Sequence, residues 1–224
     1  MHLGEYIIRH ATPIDLFIVK KFYADNAHAY NAARSDDLLL NTIQQNRKML
    51  ILQGPSGEVL GATAVFDLLD GRFREAGATR ITLNGFRIQR IFHHLRAVHE
   101  HVMDHDYEAY FSTVVVSNKQ SINNLEAVGF EMWDAPAPDL VRYKKALAEA
   151  QGRTSQIAYY RLPEKKLTVF AREILSMIDN GTLTRESRTT PGATESIELK
   201  LDVEIARYHR PVLERLANGL PIHD

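Results

Sequence analysis

The run Val114-Val115-Val116-Ser117-Asn118-Lys119-Gln120-Ser121-Ile122-Asn123-Asn124-Leu125-Glu126-Ala127-Val128-Gly129-Phe130 carries the clearest structural signal in the chain. Tyr110 to Val116 is a continuous apolar stretch, the pattern of a strand covered on both faces. Ser117-Asn118 supplies capping side chains for a helix. Val128-Gly129 closes that helix, because glycine enters the left-handed conformation of a C-terminal cap without a steric penalty. The segment therefore reads as strand, helix and tight turn, a building block of an α/β sheet.

Upstream, Ala78 to Phe86 reads as a strand, with Thr79, Ile81, Thr82 and Leu83 favouring it. A long helix follows, since Ile88, Ile91, Phe92, Leu95, Val98 and Val102 recur at helical spacing. Before it, Lys48 to Leu52 and Val59 to Leu68 make an antiparallel hairpin around Gly54-Pro55-Ser56-Gly57, and Asp70-Gly71 ends it. Tyr6 to Arg9 is a short first strand. Thr12 and Pro13 mark a helix start, followed by an apolar stripe of Leu16, Ile18, Val19 and Phe22. A second helix is expected over Asp36 to Asn46.

Downstream, Phe130 to Trp133 and Leu140 to Leu147 read as two last strands separated by Ala135-Pro136-Ala137-Pro138. The order β-α-α-β-β-β-α-β-α-β-β predicts an α/β fold, an α+β mixed sheet with helices packed on it.

After Leu147 the character changes, which divides the chain into residues 1–147 and an α/β extension, residues 148–224. Ala148 to Pro163 shows no clear period. Leu167 to Ile178 is a helix, Ser196 to Ile205 alternates like a strand with one dry face, and Pro211 to Asn218 is a final helix. The apolar faces of these elements must be covered. The extension is therefore expected to pack on the rest of the chain or on a second copy, as a homodimer.

Composition narrows the function classes. The chain has 224 residues, 45% hydrophobic and 25% charged, with a formal net charge of -1. That balance provides a core and no global field for nucleic acid or an acidic membrane. There are no cysteines, which excludes disulfides, thiolate metal sites and a cysteine nucleophile. No apolar run approaches the roughly 18 residues of a membrane span, and Met1-His2-Leu3-Gly4-Glu5 lacks signal-peptide character, so a cytoplasmic location is expected.

Over residues 5 to 147 the element order and three local patterns resemble the GCN5-related N-acetyltransferase family. In that family a buried strand ends in Asn, a small residue follows three positions on, and the next helix closes with Gly-Phe. Asn118, Ser121, Gly129 and Phe130 match these places. The second pattern is Leu83-Asn84-Gly85-Phe86-Arg87-Ile88-Gln89-Arg90-Ile91-Phe92, at the junction of a strand and a long helix. The family carries Arg or Gln there, then two small residues spaced along the helix start. Arg87 matches the first place, whereas Arg90 and Phe92 stand where small residues are usual. The third, Asp139 to Leu147, is similar to the family's closing strand.

The resemblance implies acyl transfer from acetyl-coenzyme A, or another acyl-coenzyme A, to a small-molecule amine or amino-acid-like acceptor. The pyrophosphate would lie on backbone N–H groups of the turn, a helix N-terminus acting as an anion site. Thr82, Leu83, Asn84, Arg87, Ile88, Gln89, Arg90, Ile91 and Phe92 would line the cofactor, with Asn118 and Ser121 beside its pantetheine arm. Arg87 and Arg90 would supply charge-assisted contacts. A backbone N–H around Thr82 or Leu83 would stabilise the oxyanion, and Glu75 is the carboxylate chosen as base over Asp67 and Asp70. Many family members place a Tyr four residues before the closing Gly to protonate the departing thiolate. Leu125 stands there and has no proton to give.

Other constellations point elsewhere with less force. His93, His94, His99, His101 and His105 crowd one helix, and His101 and His105 share a face. Met103 stands where a zinc-protease motif needs its second histidine, so no metal is expected and the histidines read as a polar helix face. No phosphate-loop motif is present. Two alternatives to the acyltransferase remain open: a binding module that keeps the fold without catalysis, and a transferase taking long acyl chains from a carrier protein.

Overall fold

The computed structural model describes residues 2–27, 36–44, 48–83, 86–103, 106–190, 193–201 and 203–222. The chain begins with β1 (His2–His10), a 3-10 turn (Pro13–Asp15), α1 (Leu16–Asp25) and α2 (Asp36–Gln44). A meander follows: β2 (Met49–Gln53), β3 (Val59–Leu68) and β4 (Phe73–Ile81). Then come α3 (Ile88–Met103), β5 (Ala109–Val115), α4 (Lys119–Val128), β6 (Glu131–Met132), α5 (Pro138–Ala150) and β7 (Ile157–Arg161). The chain ends with α6 (Lys165–Asn180), β8 (Leu183–Thr190), β9 (Ala193–Leu201) and α7 (Val203–Ala217). The described strands form one mixed sheet in the order β6-β7-β5-β4-β3-β2-β1-β9-β8.

The caps follow from local chemistry. Asn118 accepts the Ser121 N–H at 3.2 Å through its side-chain oxygen, and Gly129 takes φ 113 at the other end of α4. At Thr12 the N–H and hydroxyl both donate to Asp15, whose carboxylate also accepts two guanidinium bonds of 2.7 Å from Arg9. That cluster holds the Asp15 carboxyl near 2, with the Arg9 hydrogen bonds as the main cause.

The two faces of the sheet carry different helices. On one face α3, α4, α6 and α7 cover Ile8, Leu50, Leu52, Val65, Ala76, Val114 and Tyr160. On the other, α1 and α2 set Val19, Phe22, Leu39 and Ile43 against Met49, Ile51, Ala62 and Ala64. Further along that second face, Leu140 of α5 packs on Phe73 and Phe111, with Trp133 and Tyr159 beside them.

Two expectations are corrected. Leu140 to Leu147 is helix, within α5, and not a closing strand. Pro138 sits at the first helical position with Asp139 in the first turn, so Ala-Pro-Ala-Pro-Asp starts a helix where an alternating strand was expected. The closing strand is β7, in the stretch that showed no period. Its five residues pair with β5 antiparallel, Thr113 opposite Tyr159 and Val115 opposite Ile157. The strand expected from Ala78 runs instead from Phe73 to Ile81.

The extension packs within its own chain. β9 pairs parallel with β1, with Tyr6 opposite Leu199 and Ile8 opposite Leu201. Ile197 and Leu199 are fully buried. The sheet is unbroken on either side of the division at residue 147, since β7, β8 and β9 all belong to it. α6 lies against α3 with Phe170 stacked on His94, while Phe130 covers His93, His10 meets His99 and Lys48 reaches Glu100, so that His93, His94, Arg96, His99 and Glu100 are buried as well as the apolar stripe. The histidines of α3 are therefore not a solvated face. At the far end of α3, the Glu100 carboxylate receives Lys48 and Arg96, while Asp67 receives Lys48 at 3.1 Å and Arg74 at 3.2 Å.

Candidate active site

The sheet opens at one place. β4 and β5 are parallel neighbours with Phe73 opposite Ala109, Arg74 opposite Tyr110 and Glu75 opposite Phe111. Beyond Glu75 the pairing stops, although β4 continues to Ile81 and β5 to Val115. There β4 remains bonded to β3 and β5 to β7, so each strand turns its other edge onto a cleft. Strand edges carry unpaired N–H and C=O groups, which makes the cleft a backbone-lined slot.

A bulge shapes the β4 side of this slot. Ala62 pairs with Arg80 and Ala64 with Gly77, so Thr63 faces two residues, Ala78 and Thr79. Such an insertion leaves a peptide unit out of the ladder and re-aims it. Ala78 takes φ 53, in the left-handed region, and its carbonyl accepts the Tyr23 hydroxyl at 2.6 Å. The hydroxyls of Thr63 and Thr79 meet at 2.8 Å across the same point. By contrast, the Thr82 N–H donates to the Leu60 carbonyl at 2.9 Å. Thr82 is thereby removed as an oxyanion donor, and the bulge is where β4 frees a peptide unit.

Glu75 stands at the root of the fork. Its carboxylate accepts the Thr113 hydroxyl at 2.6 Å, and the Lys144 ammonium at 2.7 and 2.9 Å. The three come from β4, β5 and α5, so the α5 helix closes this side of the fork. Tyr159 is close enough to feel the Glu75 charge: burial first, and then that carboxylate, push its hydroxyl pKa up. Phe66 lies over Gly77, where an added Cβ would stand 3.1 Å from the ring.

On the other side of the slot, α3 begins at Ile88. In an α-helix the first N–H groups have no intrahelical acceptor, which leaves those of Ile88, Gln89 and Arg90 for a ligand. Those of Ile91 and Phe92 are spent inside the helix. The Ile88, Ile91 and Phe92 side chains are buried in the core, so Phe92 does not obstruct the turn. Arg87 is exposed with φ 54 just before the helix, and Arg90 is exposed beside Glu173. Asn84 lies outside the described residues; Leu83 packs against the core. Gln89 accepts the Asn124 amide at 3.1 Å, tying α4 to α3. Asn118 caps α4 at the end of β5 by accepting the Ser121 N–H, close in sequence to the mouth of the slot.

No family description and no curated protein matches the chain. Solved structures do. The N-acetyltransferase from Staphylococcus aureus Mu50 matches with TM-score 0.51 at 12% identity, over 70% of this chain and 96% of that one. A chimera of the spermidine N-acetyltransferase SpeG from Vibrio cholerae and hSSAT matches with TM-score 0.50 at 14% identity, over 73% and 98%.

The chain has the GCN5-related N-acetyltransferase fold.

Glu75, read from the sequence, stands at the last paired position of the fork, whereas four residues beside it or at the bulge were not singled out. Lys144 was hidden because α5 was expected to be a strand. Thr113 shares a face with Phe111, two residues before it, and that alternation was available. Tyr23 and Ala78 meet only through the bulge, which no local pattern announces. Leu125, the non-ionisable substitute for the expected tyrosine, is a core residue. Among the described residues no three His, Cys, Asp or Glu side chains are grouped to hold a metal, and His105 lies outside them. No described helix is long and apolar enough to cross a membrane.

Proposed function

We propose that the chain transfers an acyl group from acyl-coenzyme A directly to the nitrogen of a small amine. The observation that carries this reading is the carboxylate of Glu75 at the last paired position of a splayed β4/β5 fork. The residues present fit coenzyme A. The slot offers open strand edges for an amide-rich arm, and the α3 start offers free N–H groups with Arg87 and Arg90 for phosphates. Coenzyme A supplies the thioester that is consumed.

Glu75 takes the proton of the attacking amine, and Thr113 orients it by donating to one oxygen. The peptide unit freed by the bulge at Ala78 supports developing negative charge on the carbonyl oxygen, and Tyr23 fixes that unit from outside. With no cysteine in the chain, no thioester can form on a protein sulfur, which favours direct transfer.

The test is calorimetric titration with coenzyme A and acetyl-coenzyme A, followed by thiol release with a panel of polyamines, amino acids and aminoglycosides. Saturable binding with amine-dependent thiol release is expected. Binding without release for any amine or acyl length would make the chain a binding module, and no binding would remove the reading altogether.

A further inference from the structure

We propose that Lys144 is itself an acyl acceptor, modified on its side-chain nitrogen by the protein's own thioester substrate. This inference rests on the acyl-coenzyme A reading above. An amine awaiting acylation must stand beside its base at the fork, and the Lys144 nitrogen stands 2.7 Å from one Glu75 oxygen and 2.9 Å from the other. Both side chains are nearly enclosed, with 12% of Lys144 and 11% of Glu75 exposed. Thr113 reaches the same carboxylate from the opposite strand of the fork. A lysine there is unusual on electrostatic grounds, because burying a pair recovers little of the desolvation it costs. Held in this way, the ammonium occupies the station of a substrate amine.

The step balances without any further reactant. Lys144 passes a proton to Glu75, and its nitrogen attacks the thioester carbonyl carbon. A C–N bond forms and the C–S bond breaks. The coenzyme leaves as thiolate and takes up the proton from Glu75 through water, while the second proton of the nitrogen is released to solvent as the amide forms. The product is an amide-capped Lys144 and one free thiol. Loss of the ammonium charge then leaves Glu75 bonded to Thr113 alone, so the modified chain presents a carboxylate ready for a second amine.

Position in the chain provides an internal control. Lys145 is the next residue, yet its side chain is 76% exposed and pairs loosely with Glu149 at 3.9 Å. Uncatalysed acylation by a thioester favours an accessible, unpaired amine and so favours Lys145 over Lys144. Acylation by the fork reverses that order.

The experiment is incubation of the full chain with acetyl-coenzyme A and no added amine. Peptide mapping follows, with a protease that cuts at acidic residues, beside a thermal shift that reports binding. The expected result is one acetyl group per chain on Lys144, at least tenfold above Lys145, with one equivalent of thiol released. In Lys144→Arg, which keeps the charge and cannot be acylated in this way, the burst of thiol is lost and Lys145 is unchanged. Binding with Lys144 unmodified, or modification that follows exposure at Lys145 and Lys165, overturns this proposal and leaves the acyl-coenzyme A reading standing. Absence of a thermal shift, with no thiol released to any amine, overturns both.

Discussion

The ring of His94 lies on that of Phe170, with centroids 3.6 Å apart and planes 15° from parallel. The same imidazole meets Glu173 at 2.5 Å through Nδ1, so α6 holds α3 by an aromatic stack and a hydrogen bond together. His94 above all, then Arg90 and Arg185, keeps the Glu173 carboxyl near 2 against the opposing effect of burial. The first half of the chain thus depends on the second for its cover. Phe170→Ala should cost about 3–5 kcal/mol, the range for emptying a buried aromatic site. Truncation after Leu147 removes β7 and β9 from the sheet and uncovers α3. No cooperative unfolding transition should remain in that fragment, as judged by circular dichroism and size exclusion.

His93, next along α3, is buried edge-on to Phe130, with neither ring nitrogen hydrogen-bonded among the described residues. Burial, assisted by His94, lowers its pKa from 6.5 to about 4. The folded state therefore prefers neutral His93, while the unfolded chain takes up a proton near 6.5. This contribution to stability is fully present above pH 6.5 and is lost as pH falls toward 4. At pH 5 the loss amounts to about 2 kcal/mol. His93→Leu should flatten that part of the profile, and it should change stability by less than about 1.5 kcal/mol at pH 8. Urea midpoints at the two pH values check this; an unaltered acid slope would assign it elsewhere.

Much of the first half was legible because its elements carry their own signals. Val59 to Leu68, the α4 caps and the buried run in β5 all follow from local composition and capping. The course of α3 followed from the helical spacing of its apolar residues, whereas Arg87 was singled out only through the family resemblance. What failed did so for physical reasons. Leu140 to Leu147 satisfies both a strand and a helix pattern, and only the Pro138-Asp139 start separates them. Ile157 to Arg161 is five residues long, too short to show a period. The histidines of α3 read as polar until distant parts of the chain cover them, Phe170 of α6 on His94, Phe130 on His93 and His10 on His99. Lys144 and Tyr159, beside Glu75, come from that misread region and could not be placed.

Glu100 is the acceptor for two buried cations, Lys48 and Arg96, with Arg74 3.7 Å away. Removing one partner of such a cluster leaves uncompensated buried charge, which costs about 3–5 kcal/mol. Glu100→Leu should therefore destabilise strongly. Lys21→Ala breaks the exposed pair with Asp25 and should change stability by about 0.5 kcal/mol or less. Chemical denaturation of both variants compares them directly; equal losses would mean that the Glu100 cluster is hydrated.

Arg87 and Arg90 are exposed at the start of α3, where phosphates would meet free N–H groups. The double variant Arg87→Glu, Arg90→Glu should weaken coenzyme A binding by about 2–4 kcal/mol, taking charged hydrogen bonds at about 1.5–3 kcal/mol each with incomplete additivity. Dephospho-coenzyme A should lose less. Calorimetry on the folded variant reads this out, and an unchanged dissociation constant would place the phosphates elsewhere.

Tyr23 offers the sharpest separation of binding from chemistry. Its hydroxyl donates to the Ala78 carbonyl at 2.6 Å, at the one residue of β4 with positive φ. The donor comes from α1, on the opposite face of the sheet from α3. Tyr23→Phe keeps the ring in its buried site and deletes only the oxygen. The Ala78 carbonyl then loses a buried partner, which costs about 1–3 kcal/mol of stability. More tellingly, the bulge is freed to relax toward ordinary strand pairing, and a peptide unit that serves the oxyanion, as proposed above, would turn with it. Loss of one such donor to a developing oxyanion lowers kcat by about 100-fold to 1000-fold where the donor itself is deleted, so misalignment should fall at or below the lower end. Coenzyme A affinity should be unchanged, because the α3 start is untouched. Tyr143→Phe, a hydroxyl deletion on the exposed side of α5, should alter neither quantity. If Tyr23→Phe weakens coenzyme A binding and kcat equally, or leaves kcat intact at full binding, the bulge at Ala78 is not the oxyanion site.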